Sequence, residues 1–119
     1  MSIGVLLALG SNLGDSAAIL RLASKELSVF SRTELIASSI WKSSPEGFTN
    51  EVPEFFNAVI YITVEMPPEV LLGEVLLLEK KLGRMREKKT KKYSSRSIDI
   101  DIIDYGGLVY RSDKLILPH

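Results

Sequence analysis

Arg96-Ser97-Ile98-Asp99-Ile100-Asp101-Ile102-Ile103 is the stretch on which the fold turns. Apolar and acidic residues alternate along it with period two, the signature of a β-strand with one buried face. Ile98, Ile100 and Ile102 then point into a core, and Asp99 and Asp101 stand side by side on the opposite face. Two carboxylates so placed repel unless positive charge lies between them. The pair reads either as a solvated strand face or as hard oxygen ligands for Mg²⁺, which combines carboxylates with substrate phosphates. The residues leading in favour the second reading: Arg84, Arg86, Lys88, Lys89, Lys91, Lys92 and Arg96 are opposed only by Glu87. A cationic loop beside a carboxylate pair suits a phosphorylated substrate that carries metal.

The rest of the chain supplies partners for that strand. Gly4 to Leu9 is a near-continuous apolar run and predicts a strand buried on both faces. Gly10-Ser11-Asn12-Leu13-Gly14-Asp15 ends it in a turn, with Asp15 as the predicted N-cap of a helix reaching about Phe30. That turn reads as a phosphate-binding loop or as simple punctuation. Leu20, Ala23, Leu27 and Phe30 form the helix's apolar stripe. Glu34 to Ser43 predicts a second strand, and the Pro- and Gly-containing stretch from Ser43 to Pro53 predicts a long loop. Phe55 to Glu65 predicts a third strand with Phe56, Ala58, Ile60, Ile62 and Val64 on one face. Asn57 is then a recognition amide beside an aromatic platform at Phe55, or a turn-side polar residue beside a core aromatic. Pro67-Pro68 open a second helix with a Leu71, Val75, Leu78 and Leu82 stripe, and Gly83 is its predicted C′ residue. Glu79 reads as a surface helix charge. Asp104-Tyr105-Gly106-Gly107 predicts a hairpin between the carboxylate strand and Leu108-Val109-Tyr110.

Strand, helix, strand, strand, helix, strand is the order of an α+β, ferredoxin-like βαββαβ sandwich: an antiparallel sheet with two helices on one face. The chain has 119 residues, 45% of them hydrophobic, which suits one domain over residues 1–119. A net charge of zero gives no general attraction to nucleic acid or membrane. The basic segment leaves an RNA-binding module as a rival reading, but the aromatic pair expected on an RNA-reading sheet is missing. No residue is cysteine, so neither disulfides nor thiol chemistry is expected, in keeping with a cytoplasmic location. Ile3 to Leu9 is too short to span a bilayer and lacks a basic lead-in.

Taken together, several pieces resemble the 6-hydroxymethyl-7,8-dihydropterin pyrophosphokinase family of folate biosynthesis. They are Ala8-Leu9-Gly10-Ser11-Asn12-Leu13-Gly14; Ser39-Ile40-Trp41 with Pro45 and Gly47; Phe55-Phe56-Asn57-Ala58; Glu79 with Gly83-Arg84-Met85-Arg86; Arg96 to Ile102; and Leu117-Pro118-His119. They occur in the family's order from one end of the chain to the other. Each piece alone is weak; the set is specific.

The resemblance implies transfer of the β,γ-diphosphate of ATP to the hydroxymethyl oxygen of a reduced pterin, with release of AMP and the use of two Mg²⁺ ions. It makes Asp99 and Asp101 the metal ligands, and Arg84, Arg86 and Arg96 movable phosphate clamps, for which guanidinium forks are well suited. It places the nucleotide against Glu79, Arg84, Arg86, Arg96, Ile102 and His119. Without it, His119 is a frayed-end residue. It places the pterin against Asn12, Ser43, Ser44, Phe55, Asn57, Tyr93 and Asp99. ATP and the reduced hydroxymethylpterin are the expected partners, with no nucleic acid and no membrane. A monomer is expected, with self-association through the region the chain lacks relative to the family. Met1 reads as a start, so that shortfall is expected at the C-terminal end, with a further arginine clamp and the second ring that would sandwich the pterin. Tyr93 stands where the family commonly has tryptophan, and Ser94-Ser95 where it has Gly-Pro. A binding-only relative that keeps the nucleotide or metal site is the alternative function.

Overall fold

The computed structural model describes residues 2–12, 15–43, 55–87 and 98–119, the side chains of 84–87 excepted. An antiparallel sheet is built around β1 (Ile3–Ser11). β4 (Phe55–Val64) pairs along one side of it and β5 (Asp99–Tyr105) along the other. Beyond β4 lie two short edge pieces, β2 (Ile36–Ala37) and β3 (Trp41–Ser43). The order across the sheet is β2-β4-β1-β5, with β3 also on β4. Two helices, α1 (Ser16–Ser28) and α2 (Pro68–Glu87), touch each other and cover the sheet.

Strand alternation decides which face they cover. Val5, Leu7 and Leu9 of β1, Ala58, Ile60, Ile62 and Val64 of β4, and Ile100, Ile102 and Tyr105 of β5 are buried. They meet Leu20, Ala23 and Leu27 of α1 and Leu71, Val75, Leu78 and Leu82 of α2 in one core. The α2 stripe is the buried one as predicted, and so is that of α1 through Leu27; α1 stops at Ser28, short of the expected Phe30, which lies past the helix and is half-buried. The β1 run is buried on one face only, because Leu6 and Ala8 are half-buried on the side away from the helices.

Local chemistry explains the other departures from the sequence reading. The second strand is broken because the Ser38 hydroxyl accepts the Val59 N–H at 2.8 Å and donates to the Ser39 carbonyl, so a side chain replaces a rung of the ladder. Asp15 occupies the N-cap position of α1 but makes no side-chain capping bond there. Helix α2 does not stop at Gly83 but runs on to Glu87, and Gly83 has no left-handed backbone. Mid-helix glycine costs about 1 kcal/mol, which buried Leu82 and the helix-forming residues after it offset. The segment read as a loop from residue 84 thus begins as helix.

β5 carries a bulge. Its register against β1 shifts between Leu6↔Asp104 and Leu7↔Ile102, leaving Ile103 as the extra residue. Strict alternation would drive Asp104 inward; the bulge instead buries Tyr105 and keeps Asp104 out. Gly106 and Gly107, with φ of +60° and +76°, then make the expected turn, closed by Leu108 N–H to the Tyr105 carbonyl. The strand after the turn does not pair with β5. β6 (Tyr110–Arg111) pairs with β7 (Ile116–Leu117) in a separate two-stranded ribbon. Hairpin pairing with β5 is blocked on its outer edge, where the Ile100 N–H bonds Glu79 and the Ile103 carbonyl bonds the backbone of His119.

Candidate active site

The sheet face away from the helices carries a row of residues that the register fixes. Gly10 lies between Asn57 of β4 and Asp99 of β5, and Ala8 lies between Val59 and Asp101. Directly opposed residues share a face. Asn57 and Asp99 therefore flank a position with no side chain, and Asp101 flanks one with only a methyl. Gly10 and Ala8 form a flat floor between a polar amide and a carboxylate pair. Neither is legible as a site residue from sequence alone, because their role depends on register.

The amide of Asn57 is oriented by its surroundings. Its Nδ2 donates to Ser43 Oγ at 2.9 Å and lies 3.5 Å from the carbonyl oxygens of Trp41 and Phe55. Two carbonyls on that side require the NH₂ group there. The oxygen then projects over Gly10, where an added Cβ would lie 3.6 Å from Oδ1. Asn57 so presents an acceptor to the floor. Ser43 pairs with Phe55 across β3 and β4, and Asn12 follows the last paired residue of β1, so these three lie at the same end of the sheet. The structure thus gathers Asn12, Ser43, Phe55, Asn57 and Asp99 at one end of the sheet.

A cleft of about 470 Å³ opens beside the row, at the outer edge of β5. It brings together Asp101, Ile102 and His119, with Asp113 and Lys114 from the turn of the ribbon and Leu72 from α2. Asp101 belongs to both the row and the cleft, so the two form one surface. Glu79 stands next to it. It is half-buried, and its Oε2 accepts the Ile100 N–H at 2.6 Å, tying α2 to the carboxylate strand. His119 is held through its backbone, its N–H donating to the bulged Ile103 carbonyl at 2.8 Å, which leaves the imidazole exposed at the cleft. The ribbon is fixed to α2 where the Tyr110 hydroxyl donates to Glu69. That carboxylate beside it holds the phenol above its ordinary pKa. Asp113 and Lys114 escaped the sequence reading because nothing local shows that this turn folds back against β5.

Arg84 and Arg86 lie in the last turn of α2. Arg96, Ser44 and Tyr93 lie outside the described residues. Among the described residues, no group of three or more His, Cys, Asp or Glu side chains could hold a metal. The pair Asp99 and Asp101 nevertheless fits Mg²⁺, which needs only one or two carboxylates when water and phosphate complete its shell. No helix among the described residues is long and apolar enough to cross a membrane.

Comparison with known proteins gives the chain a family. Residues 6–119 match the model of the 7,8-dihydro-6-hydroxymethylpterin-pyrophosphokinase (HPPK) family. The chain belongs to the HPPK family. Over 114 residues it is 37% identical to the 2-amino-4-hydroxy-6-hydroxymethyldihydropteridine pyrophosphokinase of Haemophilus influenzae, covering 95% of this chain and 69% of that protein. It is 38% identical to the protein of the same name from Methylorubrum extorquens, covering 95% and 70%. It is also 37% identical over 115 residues to the folic acid synthesis protein fol1 of Pneumocystis carinii, covering 97% of this chain but 15% of that longer protein. The HPPK match includes β1 beyond Val5, both helices, the carboxylate strand and His119.

Proposed function

We propose that the chain transfers the β,γ-diphosphate of ATP to the hydroxymethyl oxygen of 6-hydroxymethyl-7,8-dihydropterin, releasing AMP, in folate synthesis. The observation that carries this is the continuity of the Asn57–Gly10–Asp99 row with the cleft at Asp101 and His119. A planar ring lies on the Gly10 and Ala8 floor, where Asn57 Oδ1 accepts a ring N–H and Phe55 offers one stacking face. Ser43 holds the Asn57 amide in the orientation this needs. The nucleotide occupies the cleft, against Ile102 and His119, with Glu79 bracing the strand that bears the carboxylates. Asp99 and Asp101 would hold Mg²⁺, two ions by family resemblance, and the metal would supply charge neutralisation at the phosphate oxygens. Arg84, Arg86 and Arg96 clamp the phosphates. Holding hydroxyl and phosphate in line is the main contribution of the protein in this class of reaction.

The strand order β2-β4-β1-β5 supports the ferredoxin-like label for the sheet. We read residues 1–119 as one pyrophosphokinase-like domain, monomeric when dilute and cytoplasmic.

A change at the floor tests the reading. Gly10 has no left-handed backbone, and an added methyl would make only ordinary contacts, so Gly10→Ala keeps the fold. The methyl nevertheless occupies the space between Asn57 and Asp99. One misplaced methyl in a fitted pocket is worth about tenfold or more in discrimination. In an assay of pterin-dependent ATP consumption, KM for the pterin should rise about tenfold while KM for ATP is held. An unchanged pterin KM would remove the ring from this floor.

A further inference from the structure

The outer face of the helix layer carries apolar surface that the catalytic reading does not use. Leu77 is 63% exposed and Val70 51%, and they lie seven residues apart on α2; Val29, just past α1, is 76% exposed. Positions 70, 74, 77 and 81 fall on one stripe of a helix. Val29, Phe30 and Leu77 line a groove of about 220 Å³ between the helices, edged by Glu26, Glu74 and Lys81. This stripe faces away from Leu72, the α2 residue at the nucleotide cleft.

The charges along α2 select the occupant. Its N-terminal half carries Glu69 and Glu74; its C-terminal half carries Lys80, Lys81, Arg84 and Arg86 against Glu79 and Glu87, a net positive charge, and Lys80 and Lys81 are exposed while Glu74 is half-buried. A parallel pair of such helices would oppose like charges. An antiparallel pair crossing at Leu77 places Glu74, three residues before the crossing, against Lys80 and Lys81, three and four residues after it. The same contact repeats on the other side of a two-fold axis, as an isologous interface requires. Lys81 already pairs with Glu26 at 2.5 Å, yet its side chain remains 60% exposed and can bridge both carboxylates.

We propose that this face docks on a second copy of the chain, α2 against α2 in antiparallel fashion about Leu77, with Val29 and Val70 flanking the contact. The pair is weak and forms as concentration rises. The sheet face, with Asn57, Gly10 and Asp99, stays open in it.

Sedimentation equilibrium of the full chain from about 10 μM to about 1 mM at low salt tests this, a range that captures weak association. A reversible monomer–dimer equilibrium is expected, with Leu77→Glu weakening it by about tenfold or more. Far-UV circular dichroism checks that this exposed substitution leaves the fold intact. Glu74→Lys and Lys81→Glu should each dissociate the pair alone, and mixing the two variants should restore it, because each then supplies the charge the other lacks. A parent that stays monomeric throughout the range overturns the proposal. So does a dimer indifferent to Leu77→Glu, or a mixture of the charge variants that fails to associate.

Discussion

Asp99→Ala is expected to abolish Mg²⁺-dependent ATP binding and turnover while leaving the protein folded. Asp99 is half-buried on the sheet face away from the core, whereas its neighbours Ile98 and Ile100 hold the strand in place. The substitution therefore spares the packing that sustains β5. It removes one of the two carboxylates proposed to hold the metal, and with it half of the negative charge that draws the ion to this strand face. Charge stabilisation by a catalytic metal is worth several kcal/mol, so kcat/KM should fall by roughly a thousandfold or more. Isothermal titration with Mg²⁺ and a non-hydrolysable ATP analogue reads the binding directly. Binding as tight as that of the parent would exclude Asp99 from the metal site.

The largest stability effect is expected at Leu7. It is fully buried at the centre of β1, between Ile60 on β4 and Ile102 on β5, both of which are also in the core. Leu→Ala at such a site loses the transfer free energy of the missing atoms and leaves a cavity that the paired strands cannot close. The cost should be about 3–5 kcal/mol, a large share of the roughly 5–15 kcal/mol that holds a domain folded. Urea unfolding followed by circular dichroism measures it. Leu76→Ala, at a half-exposed position on α2, is the control and should change stability by under about 0.5 kcal/mol. A Leu7 variant no less stable than that control would contradict the core described for this sheet.

The features legible in the sequence were those written in periodicity. Ile98, Ile100 and Ile102 went inward, and the Leu71, Val75, Leu78 and Leu82 stripe was buried, because a period of two or 3.6 needs no knowledge of neighbours. Features decided by a single competing bond or by strand register were not legible. Ser38 breaks a strand by taking one N–H that the ladder would otherwise hold. The doubled Ile102-Ile103 marks a bulge only once Leu6 and Leu7 are seen to shift partners. Asn57 was recognisable as a candidate, but the direction of its amide depends on Trp41 and Ser43, reached through a strand pairing the sequence does not state. The floor at Gly10 and the approach of Lys114 to the cleft are likewise products of register and of chain return.

Nucleotide product analysis tests the central claim most directly. The protein is mixed with ATP, Mg²⁺ and 6-hydroxymethyl-7,8-dihydropterin, and AMP is separated from ADP by chromatography. Pterin-dependent AMP is the predicted result, because transfer of the β,γ-diphosphate leaves the α-phosphate on the nucleoside. ADP in its place, or ATP that binds with Mg²⁺ yet yields no AMP when the pterin is present, would contradict diphosphate transfer by this chain.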